Sequence, residues 1–80
     1  MTLRQPTITA ELRQWRRSNN GVTGFIYNDR NEVWDDGEEA FFSVPPDGWS
    51  EHTNYWLVKT NTEVYRCDKD EEIKDGSSLA

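Results

Sequence analysis

Eighty residues with an apolar fraction of 34% and a net charge of −6 allow one small domain whose core must be efficient. No apolar run approaches the ~20 residues of a bilayer span, and the acidic balance argues against binding phosphate backbones directly. Low apolar content leans toward disorder, but ten aromatic side chains (four Trp, three Tyr and three Phe) reverse that leaning, because each can bury roughly 150–250 Å².

From the N-terminus, residues 1–6 lack the apolar core of a secretion signal. With a single cysteine, Cys67, unable to form an internal disulfide, the expected location is the cytoplasm. Residues 8–18 carry two competing patterns. Ile8, Leu12 and Trp15 fall at helical spacing. Ile8, Ala10 and Leu12 alternate with Thr7, Thr9, Glu11 and Arg13 as a strand does. The β-branched content and the following Asn20-Gly21, a dipeptide suited to a type I′ hairpin, favour the strand. Residues 22–28, 39–44, 54–60 and 62–67 are rich in β-branched and aromatic side chains and are predicted strands. Tyr55-Trp56-Leu57-Val58 is a continuous apolar run, predicting a central strand covered on both faces. Asp36-Gly37 predicts a second tight hairpin, Pro45-Pro46-Asp47-Gly48 a longer loop, and Thr60-Asn61-Thr62 a further reversal. The expected fold is all-β, a five-stranded antiparallel sheet or SH3-like barrel over residues 1–67. Residues 68–80 are expected to form an acidic tail. The alternative is α+β, with residues 8–18 helical on a four-stranded sheet.

The residues from Gly24 to Tyr65 carry a further pattern. Gly24-Phe25-Ile26-Tyr27-Asn28-Asp29, Trp34-Asp35-Asp36-Gly37, Ser43-Val44 and Lys59-Thr60-Asn61-Thr62-Glu63-Val64-Tyr65 resemble elements of small, mostly uncharacterised β-proteins of phages and bacteria. Phe42 departs from that pattern, and residues 45–51 have no counterpart in it. The resemblance implies an all-β fold and a mobile-element origin, and it transfers no catalytic residue.

Charge is polarised along the chain. Residues 1–30 carry five Arg against Glu11 and Asp29, whereas residues 31–80 carry thirteen carboxylates against Lys59, Arg66, Lys69 and Lys74. The densest cluster is Asp29, Glu32, Asp35, Asp36, Glu38 and Glu39, interrupted among charges only by Arg30. Such a cluster is costly to desolvate unless a partner brings cations. It therefore reads either as a solubilising loop or as a surface for a basic protein. Trp49, following the proline loop, reads as an interface anchor or as a cap on the open end of the barrel. Arg13, Arg16 and Arg17 beside Trp15 fit pairing with carboxylates better than stacking on nucleic acid.

Other chemistry fails on residue types. An EF-hand beginning at Asp29 would have Val33, Trp34 and Ala40 at its fifth, sixth and twelfth positions. One starting at Asp68 would have Ile73 and Leu79 at its sixth and twelfth. One Cys and one His do not make a zinc site, and His52 and Cys67 lack a nucleophile elbow to present them. No cofactor or metal is expected.

The leading expectation is a non-enzymatic acidic binding module. It would inhibit a host protein by occupying its basic nucleic-acid-binding surface, as anti-CRISPR and other DNA-mimic proteins of phages do. Its expected partner-binding residues are Asp29, Glu32, Asp35, Asp36, Glu38, Glu39 and Trp49. No direct nucleic-acid or membrane contact is expected, and the location would be the bacterial host cytoplasm. An adaptor of a bacterial enzyme complex and an oligomeric nucleotide or small-ligand binder are the alternatives.

Overall fold

Trp15 is fully buried although the alternation that buries Ala10 and Leu12 places Gln14, not Trp15, on the inner face. A β-bulge resolves the conflict. Strand β1 (Ala10–Ser18) pairs with β2 (Gly21–Tyr27) in antiparallel register from Glu11↔Tyr27 to Arg13↔Phe25, then resumes at Arg16↔Thr23. Two β1 residues, Gln14 and Trp15, thus oppose one β2 residue, Gly24. Gln14 takes a positive φ of 48° at the insertion, and the extra residue turns Trp15 inward. Gly24 is needed there because a Cβ would stand 2.8 Å from the Cβ of Trp15. The helical spacing of Ile8, Leu12 and Trp15 is therefore a strand pattern shifted by one inserted residue.

The computed structural model describes residues 7–73. They form an all-β fold whose remaining strands are β3 (Glu38–Ser43), β4 (Trp49–Glu51), β5 (Tyr55–Lys59) and β6 (Val64–Asp68). The six make a single mixed sheet in the order β3-β2-β1-β6-β5-β4. All neighbours are antiparallel except β1 and β6, which run parallel from Ala10↔Tyr65 to Leu12↔Cys67. The sheet has six strands because Trp49–Glu51 forms a short edge where the sequence predicts loop. It does not close as an SH3-like barrel. β3 and β4 remain separate edges, joined by residues 44–48, where Pro45 and Pro46 have no N–H for a ladder.

One face of the sheet holds Ala10, Leu12, Trp15, Val22, Ile26, Ala40, Val44, Val58, Tyr65 and Cys67, all buried. Trp34, Phe42, Trp49 and Trp56 pack around them half-buried, and Phe42 stacks on Tyr65 with ring centroids 4.3 Å apart. β5 lies inside the sheet as the apolar run requires, yet only Val58 is buried and Tyr55, Trp56 and Leu57 are half-buried.

The turns depart from expectation in two places. The β1–β2 loop is Asn19-Asn20, with neither residue at positive φ, so Asn20-Gly21 is no type I′ turn and Gly21 already pairs with Ser18. Asp36-Gly37 closes no tight hairpin either. It ends a ten-residue β2–β3 loop, residues 28–37, in which Gly37 supplies a φ of 91°. The Thr60 reversal is present, with Thr60 N–H donating to Glu63 C=O at 2.8 Å and Glu63 N–H to Thr60 Oγ1 at 3.0 Å.

Residues 68–73, expected as the start of a tail, are held against the bulge. A 3₁₀ turn at Lys69–Glu71 lets Glu71 Oε1 accept from Gln14 N–H at 3.2 Å. Ile73 N–H donates to Trp15 C=O at 2.7 Å, and Trp15 Nε1 donates to Asp68 C=O at 2.8 Å. The sequence misses this because the irregular strand leaves unpaired backbone groups that only a later segment can satisfy. The rest of the expected tail, residues 74–80, lies outside the described residues.

Candidate partner-binding surface

The ten-residue loop and the start of β3 carry all six carboxylates of the acidic cluster, and the structure divides them into two groups. Asp29 organises the loop. Its Oδ1 accepts from Asn31 N–H at 3.0 Å, and its Oδ2 accepts from Val33 and Trp34 N–H at 2.9 and 3.0 Å. Burial raises the affinity of this carboxyl for a proton, but the N–H groups of Trp34, Asn31 and Val33 outweigh it and hold the pKa below the ordinary 3.8. Asp36 Oδ1 accepts from Asn28 N–H at 2.8 Å and draws the two ends of the loop together. Glu38 Oε2 accepts from Asp35 N–H at 2.6 Å. These three carboxylates serve the backbone of their own loop.

Glu32, Asp35 and Glu39 form the second group. All three are exposed, and among the described residues no hydrogen bond or ion pair engages their side chains. Glu39 stands on β3, and the loop that presents Glu32 and Asp35 is well anchored. Trp34 meets Phe42 edge-to-face at 6.0 Å, Arg30 N–H donates to Thr9 C=O at 2.8 Å, and Gly37 N–H donates to Ile26 C=O at 2.7 Å. Backbone and aromatic contacts thus fix the loop while leaving the outward charges in water.

Arg13 and Arg17 do not neutralise this loop. Arg13 lies 4.2 Å over the Tyr27 ring and 3.4 Å from Glu11. Arg17 spans Trp49 and Trp56, 4.5 and 4.2 Å from their ring centres, and stands 3.9 Å from Glu72. Arg66 covers Tyr55 at 4.1 Å and bonds Asp68 at 2.7 Å. From residue 31 to residue 58 the chain has no Lys or Arg at all, so both edge strands lie in a cation-free segment.

Trp49 does not lie in a loop. It opens β4 half-buried, 6.2 Å from Trp15 and 6.0 Å from Trp56 between ring centres. The structure therefore gathers Asp29, Glu32, Asp35 and Asp36 around one concavity, sets Glu38 beside Asp35 and Glu39 next along β3, and leaves Trp49 in a separate aromatic cluster. The bridge from Arg17 to two tryptophans of the paired strands β4 and β5 was invisible to sequence reasoning, since no local spacing signals it. Phe41 was missed as well, and it is 53% exposed. Its signal was present: in Glu38–Ser43 one of two adjacent Phe must face outward.

His52 and Cys67 lie on opposite faces of the sheet. His52 stacks on Tyr55 with centroids 4.7 Å apart, on the outer face. Cys67 is fully buried on the inner one, its thiol pushed up to about 12 first by burial and then by Asp68 and Glu72, against Arg17. Among the described residues, no three carboxylate, imidazole or thiol groups converge to hold a metal ion. No helix among them is long and apolar enough to cross a membrane.

No protein-family model matches the chain, and neither a curated protein nor a solved structure is detectably similar to it.

Proposed function

We propose that this chain is a non-enzymatic, acidic binding module that docks its β2–β3 loop and the start of β3 onto a basic surface of a protein partner. The observation that carries the reading is the trio Glu32, Asp35 and Glu39. Glu32 and Asp35 on an anchored loop and Glu39 on β3 are exposed and without a cationic partner among the described residues. Like charges left unpaired on one surface cost little in water, and a partner that supplies Lys or Arg gains from them and is steered to them. A basic surface that ordinarily binds nucleic acid fits this chemistry, so occupying it would inhibit the partner. The separation of Cys67 from His52 supports a binding role over nucleophilic catalysis.

The test is a triple variant, Glu32→Gln, Asp35→Asn and Glu39→Gln, which removes three charges without touching the carboxylates that hold the loop. Association with the partner isolated by affinity capture should slow about tenfold at low ionic strength, with a shallower salt dependence. An unchanged association rate with the fold intact would end this reading and leave the acids as solubilising groups.

A further inference from the structure

We infer that the free edge of β3 receives an extended, Lys- or Arg-bearing segment of the partner as an added strand. This rests on the acidic-module reading and specifies how the partner binds. Val44 N–H donates to Asn20 C=O at 2.9 Å, and the register continues as Val22↔Phe42 and Gly24↔Ala40. Alternate residues of an antiparallel ladder face the neighbouring strand, so Ala40 and Phe42 turn their N–H and C=O groups toward β2. Those of Glu39, Phe41 and Ser43 point out of the sheet, where no strand of the described residues lies beyond β3.

Natural proteins guard such an edge with charged side chains, Lys above all, or with Pro, a bulge or a very short strand. On β3 only the carboxylates of Glu38 and Glu39 serve this way, and they turn away an acidic strand but not a basic one. Its six residues pair with β2 in unbroken register and include neither Lys nor Pro. β4, by contrast, is only three residues long, and Glu51 there is tied to Lys69 at 2.7 Å.

The side chains beside the open β3 groups define the occupant. Glu39, Phe41 and Ser43 share the outer face, with exposed Phe41 lying diagonally from half-buried Phe25 across the Phe25↔Glu39 and Thr23↔Phe41 pairs. An added strand would place a cation opposite Glu39 and, two residues away, an apolar side chain opposite Phe41. A second copy of this chain, at net charge −6, would bring the same carboxylates and meet repulsion. A basic strand meets complementarity.

The probe is a seven-residue acetylated and amidated peptide, Lys-Thr-Lys-Thr-Ile-Thr-Lys, whose lysines and isoleucine share one face of a strand. In the free protein, amide hydrogen exchange followed by NMR should be slow at Ala40 and Phe42 and fast at Glu39, Phe41 and Ser43. Saturating peptide should slow the latter three by about tenfold or more. N-methylation of the central lysine and the isoleucine amides, which removes donors facing β3, should weaken binding about tenfold, whereas N-methylation of threonine amides should not. Equal loss or equal retention in both methylated peptides would overturn the added strand, and salt-sensitive binding in that case would leave the acidic surface standing. Absence of peptide binding would overturn the inference, while the triple charge variant judges the acidic surface independently. A dimer in sedimentation with Glu39, Phe41 and Ser43 already protected would make a second copy the occupant and overturn it equally.

Discussion

Two buried protons mark how individual residues tie stability to pH. Cys67 is held neutral to about 12, mainly by burial, against an ordinary 9.0, and Tyr65 to about 12 against 10.0, by burial and then by Glu63 and Asp29. Both groups ionise more readily when unfolded, so the unfolded chain binds fewer protons at high pH and stability falls as pH rises. That loss should begin above pH 9 at Cys67, gain the Tyr65 contribution above pH 10, and continue to about 12. Urea midpoints measured at pH 7, 9, 10 and 11 should fall progressively, and Cys67→Ala should flatten the fall between pH 9 and 10. An identical slope in the variant would place the alkaline transition elsewhere. The sequence marks Cys67 as the last residue of a predicted strand, but burial of its thiol depends on the parallel neighbour Leu12, 55 positions earlier, which local pattern cannot supply.

At the level of elements, the bulge at Gln14 and the segment 68–73 are one device. The inserted residue turns Trp15 into the core and exposes backbone groups that Glu71 and Ile73 then satisfy. A chain ending at Asp68 should lose these contacts, whereas one ending at Ile73 keeps them. The shorter chain should be less stable by about 1–3 kcal/mol, the scale of one or two lost hydrogen bonds to groups left partly buried. Its tryptophan emission should shift to longer wavelength as Trp15 gains water. Equal urea midpoints for the two chains would show that β1 holds its bulge without help. Five of the six strands were legible to within about two residues, because β-branched and aromatic runs between turn residues carry a local signal, whereas the three-residue β4 lay in a predicted loop. The bulge was not legible, since Trp15 at helical spacing from Leu12 looks the same whether the backbone coils or inserts a residue.

Across the whole molecule, the proposed binding surface and the stabilising aromatic cluster lie apart. Trp49, Trp56, Trp15 and Arg17 interlock around β4, β5 and β1, while the outward carboxylates sit at the β2–β3 end. Trp49→Ala should therefore cost about 2–4 kcal/mol of stability, in line with large-to-small changes at a half-buried aromatic. At temperatures where the variant remains folded, it should leave the association rate with the partner unchanged. The triple charge variant should do the reverse, moving stability by less than about 0.5 kcal/mol and slowing association. Loss of association in folded Trp49→Ala would join the two regions into one surface.

Composition and local pattern alone determined that this chain is all-β and built on aromatic side chains, and that its acid gathers around residues 29–39. Each of these properties is local: a strand run, a turn residue or a charge is visible in its own window. Tertiary structure decided the rest. It joined β1 in parallel to β6, left β3 and β4 as open edges, and sent Trp49 to the core margin. It also assigned Asp29, Asp36 and Glu38 to the loop backbone while Glu32, Asp35 and Glu39 faced water. Those outcomes depend on which distant N–H or ring meets each side chain, and that is settled only when the sheet assembles.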